Sequence, residues 1–271
     1  MKKNSRYTQL TWRHDFWSLL RYYRSLRLSQ DKQVAWLTDL TASSCLPDKP
    51  NKFPIRPELI DYLCDYLPKS VELLEYALKT LRTEEEAKIF CQNRKFLVGS
   101  TSTKNRSHHQ SSKALIAAVS GIAQEACRSA KTTVNLDPQR RAVWFSGSAM
   151  HASARNLDGA IPSLENPSAI WEIKEYWGKT KGGSKMSDAV YECHLVGLEL
   201  RTFEATNNLS VDHIVFVDGK VQWGHRKSDL LRFIDLHQQG LIDHLIVGRE
   251  VETIWPKLCK AIVEKPSGSP I

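Results

Sequence analysis

Residues 168–177 read Ser168-Ala169-Ile170-Trp171-Glu172-Ile173-Lys174-Glu175-Tyr176-Trp177. The run is rich in Ile and Trp, which favours a β-strand. Side chains alternate along a strand, so Glu172 and Lys174 leave the same face and Glu175 leaves the other. Two charged groups on one face of an apolar strand are costly unless they serve a site or neutralise each other. The sequence leaves both readings open, a functional centre or a same-face ion pair. A second carboxylate precedes this strand in Asn156-Leu157-Asp158-Gly159, on a short extended segment able to pair beside it. Asp158 also suits an Asx turn before Gly159.

Three places match [Asp/Glu]-x-Lys: Glu86-Ala87-Lys88, Glu172-Ile173-Lys174 and Asp218-Gly219-Lys220. About two are expected by chance in a chain this long, so context must choose. Glu86 and Lys88 stand in a charged helical run. Asp218-Gly219 suits a type I′ turn, and 211–224 reads as a hairpin. Only Glu172 and Lys174 interrupt an apolar strand.

The surrounding sequence gives an α/β pattern. An Ala-rich helix over 113–129 is followed by a strand in 140–147, the extended stretch near Asp158 and the 168–177 strand. A long helix over 186–203 follows, with Ser187-Asp188 as its cap. After the hairpin come a helix beginning at Lys227, a strand in Asp243–Glu250 and a closing helix that tolerates Pro256 near its start. The expected fold is a mixed sheet flanked by helices. Residues 1–98 read as a helical N-terminal region, with Pro57 in a first helical turn and Ser70 as an N-cap. Residues 99–113 are polar, Ser-rich and basic and read as a mobile linker; 114–264 form the α/β core, and 265–271 a disordered tail.

The chain has 271 residues, 41% apolar, and a formal charge of +8. The charge is uneven: residues 1–30 carry +6, 91–150 carry +7 and 151–271 carry −2. Basic flanks around a mildly acidic centre suit phosphates outside and cations inside, and also suit an ordinary solvated surface. The six cysteines form no CxxC pair. They read as reduced thiols in a reducing compartment. No signal peptide or membrane span is legible, so the expected location is cytoplasmic.

Asp158, Glu172 and Lys174 together have a direct chemical use. Phosphodiester hydrolysis is assisted by a divalent cation that stabilises phosphate charge and acidifies water. Mg²⁺ takes a few carboxylates and leaves positions open. Asp158 and Glu172 would hold the ion with help from the Ile173 carbonyl. Lys174 would position or deprotonate the water, or stabilise developing charge.

Asp158, a thirteen-residue gap, then Glu172-Ile173-Lys174 resembles the PD-(D/E)XK nuclease superfamily, and most closely its type II restriction endonuclease members. The resemblance spans roughly 113–250, because the order of helices and strands matches as well. Leu157 stands where Pro is common. The resemblance implies a restriction-endonuclease-like fold and Mg²⁺-dependent cleavage of double-stranded DNA. It also implies a restriction or other defence role and a homodimer. Members often carry an acidic residue on the helix before the core strands. Glu125 takes that place, either as an aid to the metal or as an exposed helix residue. A repair or recombination nuclease, or a nucleic-acid-binding protein without catalysis, is the rival reading.

The loop after Lys174 offers Lys179, Lys181 and Lys185 for phosphate contacts, and the linker region offers Lys104, Arg106 and Lys113. Gly178-Lys179-Thr180 is not a P-loop, because Ile173 stands where the first glycine is required; no nucleotide cofactor is expected. The basic and aromatic residues Arg6, Tyr7, Trp12, Arg13, Arg21, Tyr22, Arg24 and Arg27 fit DNA docking, a dimer interface or an amphipathic helix with a basic outer face.

Overall fold

The structure is a computed structural model that describes residues 1–100, 112–178 and 183–264. The expected disordered tail lies outside these residues, as does most of the expected linker.

The chain divides into two compact units, one of Asn4–Leu73 and one of Met1–Lys3 with Leu74–Ile271. The smaller unit holds α1 (Ser5–Thr8), α2 (Asp15–Ser25), α3 (Gln30–Ser43) and the first part of α4 (Pro57–Thr80). Its core is aromatic: Tyr7, Phe16, Trp17, Trp36 and Tyr66 are all buried, with Leu20, Leu40 and Leu63 among them. The apolar spacing of Phe16, Leu19, Leu20 and Tyr23 thus marks the inward stripe of an amphipathic helix. Tyr7, one of the residues offered for docking, is a core residue instead.

Two expectations about this region are corrected. Ser70 is not an N-cap: α4 runs through it, and its hydroxyl donates to the Leu67 carbonyl. Pro68 inside the helix lacks the N–H for one ladder bond, but the flanking apolar positions carry the helix on. The helical region also does not extend to residue 98 as one body. Ala87 and Cys91, on α5 (Glu84–Asn93), lie in the core of the larger unit. Thr83 opens α5 through a capping box with Glu86.

In the larger unit follow α6 (Ala114–Ser129), β1 (Asn135–Leu136), β2 (Val143–Ser146), β3 (Ala149–Ala152), β4 (Gly159–Ile161) and β5 (Ala169–Glu175). Next come α7 (Ser184–Asn207), β6 (Asp212–Asp218), α8 (Lys220–His225), α9 (Lys227–Gln239), β7 (His244–Val247), α10 (Glu250–Thr253) and α11 (Trp255–Glu264). The five-stranded sheet has the order β1-β4-β5-β6-β7, while β2 and β3 form a separate ribbon. β1 and β5 run antiparallel to β4, and β5, β6 and β7 run parallel to one another. The architecture is therefore a mixed sheet flanked by helices.

On one face of the sheet, Trp171, Ile214, Phe216 and Ile246 pack with Leu115, Val119 and Ile122 of α6 and Trp255 of α11. On the other, Ile170 and Ala160 pack with Val196 and Leu200 of α7. Period-2 alternation in β5 meets 3.6-residue periodicity in the helices, which assigns Ile170, Glu172 and Lys174 to the α7 side.

The hairpin expected over 211–224 is not formed. β6 ends at Asp218 and α8 begins two residues later. Asp218 turns inward, accepting from Arg82 Nε at 2.7 Å and from the Arg82 backbone N–H at 2.8 Å. Gly219 sits at φ 120°, and a Cβ there would lie 2.0 Å from the Tyr176 carbonyl oxygen. The Asp-Gly pair serves a buried exit from the sheet rather than a surface turn. The cap expected at Ser187-Asp188 is also displaced. The helix begins at Ser184, and the Ser187 hydroxyl accepts from Arg226 at 2.6 Å. The closing helix is two helices, α10 and α11, parted at Ile254, with Pro256 in the first turn of the second.

Candidate metal centre

Strand pairing decides where Asp158 goes. β4 pairs with β5 only as far as Gly159 opposite Trp171, whereas β6 continues alongside β5 to Asp218 opposite Glu175. Beyond Trp171, the β4-side edge of β5 is therefore without a strand partner among the described residues. Asp158 covers that edge. Its N–H donates to the Trp171 carbonyl at 3.2 Å, and its Oδ2 accepts from the Ile173 N–H at 2.7 Å. The carboxylate thus bonds the facing strand rather than an Asx turn of its own. Within a strand, the N–H and C=O of one residue point to the same side. The Ile173 carbonyl consequently faces the edge that Asp158 covers. Gly159 makes the approach possible, because a Cβ there would stand 1.8 Å from Trp171 Cε2.

Glu172 and Lys174 meet on the α7 side as the alternation requires. Lys174 Nζ donates to Glu172 Oε2 at 2.7 Å and to Glu192 Oε2 at 3.1 Å. Glu192 comes from α7, and its Oε1 lies 2.7 Å from Arg155 Nη1. Arg155 is three residues before Asp158. Glu172 and Lys174 are both buried, at 2% and 7% exposure. Glu172 Oε1 is buried as well and has no hydrogen-bond partner among the described residues. The same-face ion pair thus exists, and it leaves one carboxylate oxygen unsatisfied.

The electrostatics follow from burial. Burial, then the neighbouring Glu172 charge, pushes the Asp158 carboxyl up from 3.8 to about 6. The Ile173 N–H and Lys174 oppose that rise. Burial alone would push the Lys174 ammonium down, but the neighbouring Glu172 carboxylate, which also accepts its hydrogen bond, and the Asp158 carboxylate raise it, so it remains charged. The Cys193 thiol is fully buried and pushed far up, which makes it inert packing rather than a nucleophile.

Glu175, on the opposite face, accepts from the Leu115 and Ile116 N–H groups at the start of α6. Burial pushes it up to about 7 despite those donors. It fixes α6 to the sheet and takes no part in the Asp158 cluster. Glu125 is exposed on α6 and pairs with Arg94, apart from Asp158, Glu172 and Lys174. The structure therefore does not bring it into the centre, because the inward stripe of α6 is Leu115, Ala118, Val119, Ile122 and Ala123. Lys113 is the residue before α6, and its N–H donates to the Gly99 carbonyl at 2.8 Å. Lys185 is exposed in the first turn of α7. Lys104, Arg106, Lys179 and Lys181 lie outside the described residues.

Glu192 and Arg155 were not legible as members of the centre. The available signal was slight: Glu192 borders the buried stripe Ala189, Cys193 and Val196. A charge beside such a stripe faces the sheet obliquely.

A family model described as a domain of unknown function, DUF7687, matches residues 82–262. The match covers two thirds of the chain. The chain belongs to the DUF7687 family. The DUF7687 region begins at Arg82, which anchors Asp218, and contains Asp158, Glu172, Lys174 and Glu192. Comparison with curated proteins and with solved structures gives no match.

Among the described residues, no group of three or more His, Cys, Asp or Glu side chains is arranged to hold a metal ion. The centre offers a smaller donor set: the carboxylates of Asp158 and Glu172 and the Ile173 carbonyl. Two features of that set fit a hard divalent cation. Glu172 Oε1 lacks a partner, and the two acidic groups repel each other in a largely dry setting. A DUF7687 domain with this geometry has the oxygen donors and the ammonium that metal-assisted hydrolysis uses.

Proposed function

We propose that this chain is a magnesium-dependent nuclease that hydrolyses phosphodiester bonds of double-stranded DNA. The observation that carries the reading is the convergence of Asp158 and Glu172 beside a charged Lys174, with Glu172 Oε1 left unpartnered. Order along the chain adds support. A helix precedes the strands that bear Asp158 and Glu172, and a helix and a parallel strand follow them, as in the PD-(D/E)XK nucleases that the motif resembles.

A bound Mg²⁺ supplies Lewis acidity toward the phosphate and a more acidic water. Asp158 and Glu172 hold it, Asp158 steadied by the Ile173 N–H. Lys174 remains an ammonium and faces the charge that develops on the phosphate oxygens. Lys174 is placed to position or deprotonate the attacking water, or to stabilise that charge. The formal charge of +8 favours a polyanionic substrate. Lys113, Lys185 and the basic residues at 104, 106, 179 and 181 are the proposed phosphate contacts. A homodimer acting in restriction or another defence system is the proposed setting, on the strength of the resemblance alone.

The test is incubation of the purified full chain with supercoiled and linear DNA, with Mg²⁺, with Mn²⁺ and with chelator. Cleavage is expected with the metals and absent with chelator. Asp158→Ala and Lys174→Ala are expected to abolish it, and full activity in either variant rejects the site. DNA binding without cleavage under every metal condition rejects the nuclease reading. Fragments of fixed length from unmodified plasmid favour a restriction role over repair or recombination.

A further inference from the structure

Lys174 has two acidic partners rather than one, and they come from different elements. Glu172 lies on the same strand, and Glu192 reaches across from α7. If Glu172 were its only partner, the two would form a closed ion pair. A cation taking Glu172 by its unpartnered Oε1 would then draw that carboxylate's charge away from the ammonium's sole partner, at full desolvation cost to the charge left behind. Glu192 changes that balance. An ammonium has three N–H donors, so Lys174 keeps a charged acceptor when Glu172 turns away. Glu192 is itself held from its other oxygen by Arg155, on the segment that carries Asp158. Both segments of the centre are thus tied to one carboxylate on α7.

We infer that Glu192 is a positioning residue of this centre: it retains the Lys174 ammonium and so releases Glu172 to take a divalent cation. This rests on the metal reading above. Glu192 is not assigned as a ligand, because both its oxygens are already engaged by Lys174 and Arg155.

The test is a double-mutant cycle on Mg²⁺ affinity, measured by titration calorimetry on the full chain without DNA. Glu192→Gln is expected to weaken Mg²⁺ binding about tenfold when Lys174 is present, and less than about twofold in a Lys174→Met background. A merely structural role moves the melting temperature without this dependence on Lys174. Equal losses in both backgrounds overturn the inference, since a direct ligand or a through-space charge acts regardless of Lys174. No loss in either background also overturns it. Thermal melts verify folding, and Lys174→Gln replaces Lys174→Met should the latter fail to fold. Wild-type protein that binds no Mg²⁺ overturns the metal reading and this inference together. Protein that binds Mg²⁺ with the coupling intact, yet cuts no DNA, overturns the nuclease reading alone.

Discussion

Replacing Asp158 by Asn removes a charge that the fold holds at a loss. Burial and the adjacent Glu172 push this carboxyl from its ordinary 3.8 up to about 6. Each pH unit of displacement corresponds to about 1.4 kcal/mol, so the ionised form is disfavoured by about 3 kcal/mol in the folded chain. Asp158 keeps part of its surface open, and water screening reduces the expected figure to about 2 kcal/mol. The sign follows from linkage. Below about pH 4 the group is protonated in folded and unfolded chains alike, and it imposes no penalty. As pH rises through 4 to 6 the unfolded chain gives up its proton first, and folded stability is lost. The side-chain amide introduced by Asp158→Asn would still accept from the Ile173 N–H while carrying no charge. Asp158→Asn is therefore expected to be about 2 kcal/mol more stable than wild type at pH 8 without divalent cations, and nearly equal to it at pH 4. Urea denaturation at the two pH values measures the difference. Added Mg²⁺ should stabilise wild type and not the variant, narrowing the gap by mass action. Cleavage by the variant should fall by on the order of a hundredfold or more. A variant no more stable than wild type at pH 8, or a difference independent of pH, would mean that Asp158 is not held as a disfavoured charge.

Other perturbations test the surroundings of the centre. Gly159→Ala should cost about 1–3 kcal/mol and abolish cleavage, because the added methyl meets the Trp171 indole and displaces Asp158; thermal melting and the plasmid assay read both. Glu175→Ala should lower stability by about 1–2 kcal/mol through the two α6 N–H groups it leaves unpaired, with Glu175→Gln much milder, as seen in urea midpoints. Thr83→Ala should cost about 1 kcal/mol by opening the α5 capping box while leaving cleavage unchanged. Chelation should stop cleavage by wild type reversibly, with recovery on adding Mg²⁺ measured on the same plasmid.

Legibility in the sequence tracked how local the controlling physics was. β5 was readable because its Ile and Trp residues and its alternation are properties of consecutive residues. The same period put Glu172 and Lys174 on one face, where they are found 2.7 Å apart. The helices α2, α6 and α9 were readable for the corresponding reason. Asp218-Gly219 misled because one dipeptide serves both a hairpin and a buried exit, and the difference lies in Arg82, 136 residues away. Glu125 misled because its helix turns that side chain outward toward Arg94.

The charged pair on β5, the mixed α/β pattern around it and a second carboxylate at Asp158 could all be read from local sequence. They could because side-chain periodicity and apolar burial act over a few neighbouring residues. Packing between distant segments set the end of the β4–β5 pairing at Gly159 opposite Trp171, so that Asp158 falls across the open edge of β5, and brought Glu192 of α7 to the far side of Lys174. Those outcomes depend on strand register and on the rotation of a helix over a sheet. Both are set by packing among residues distant in the chain, such as Gly159 against Trp171, and no local pattern encodes them.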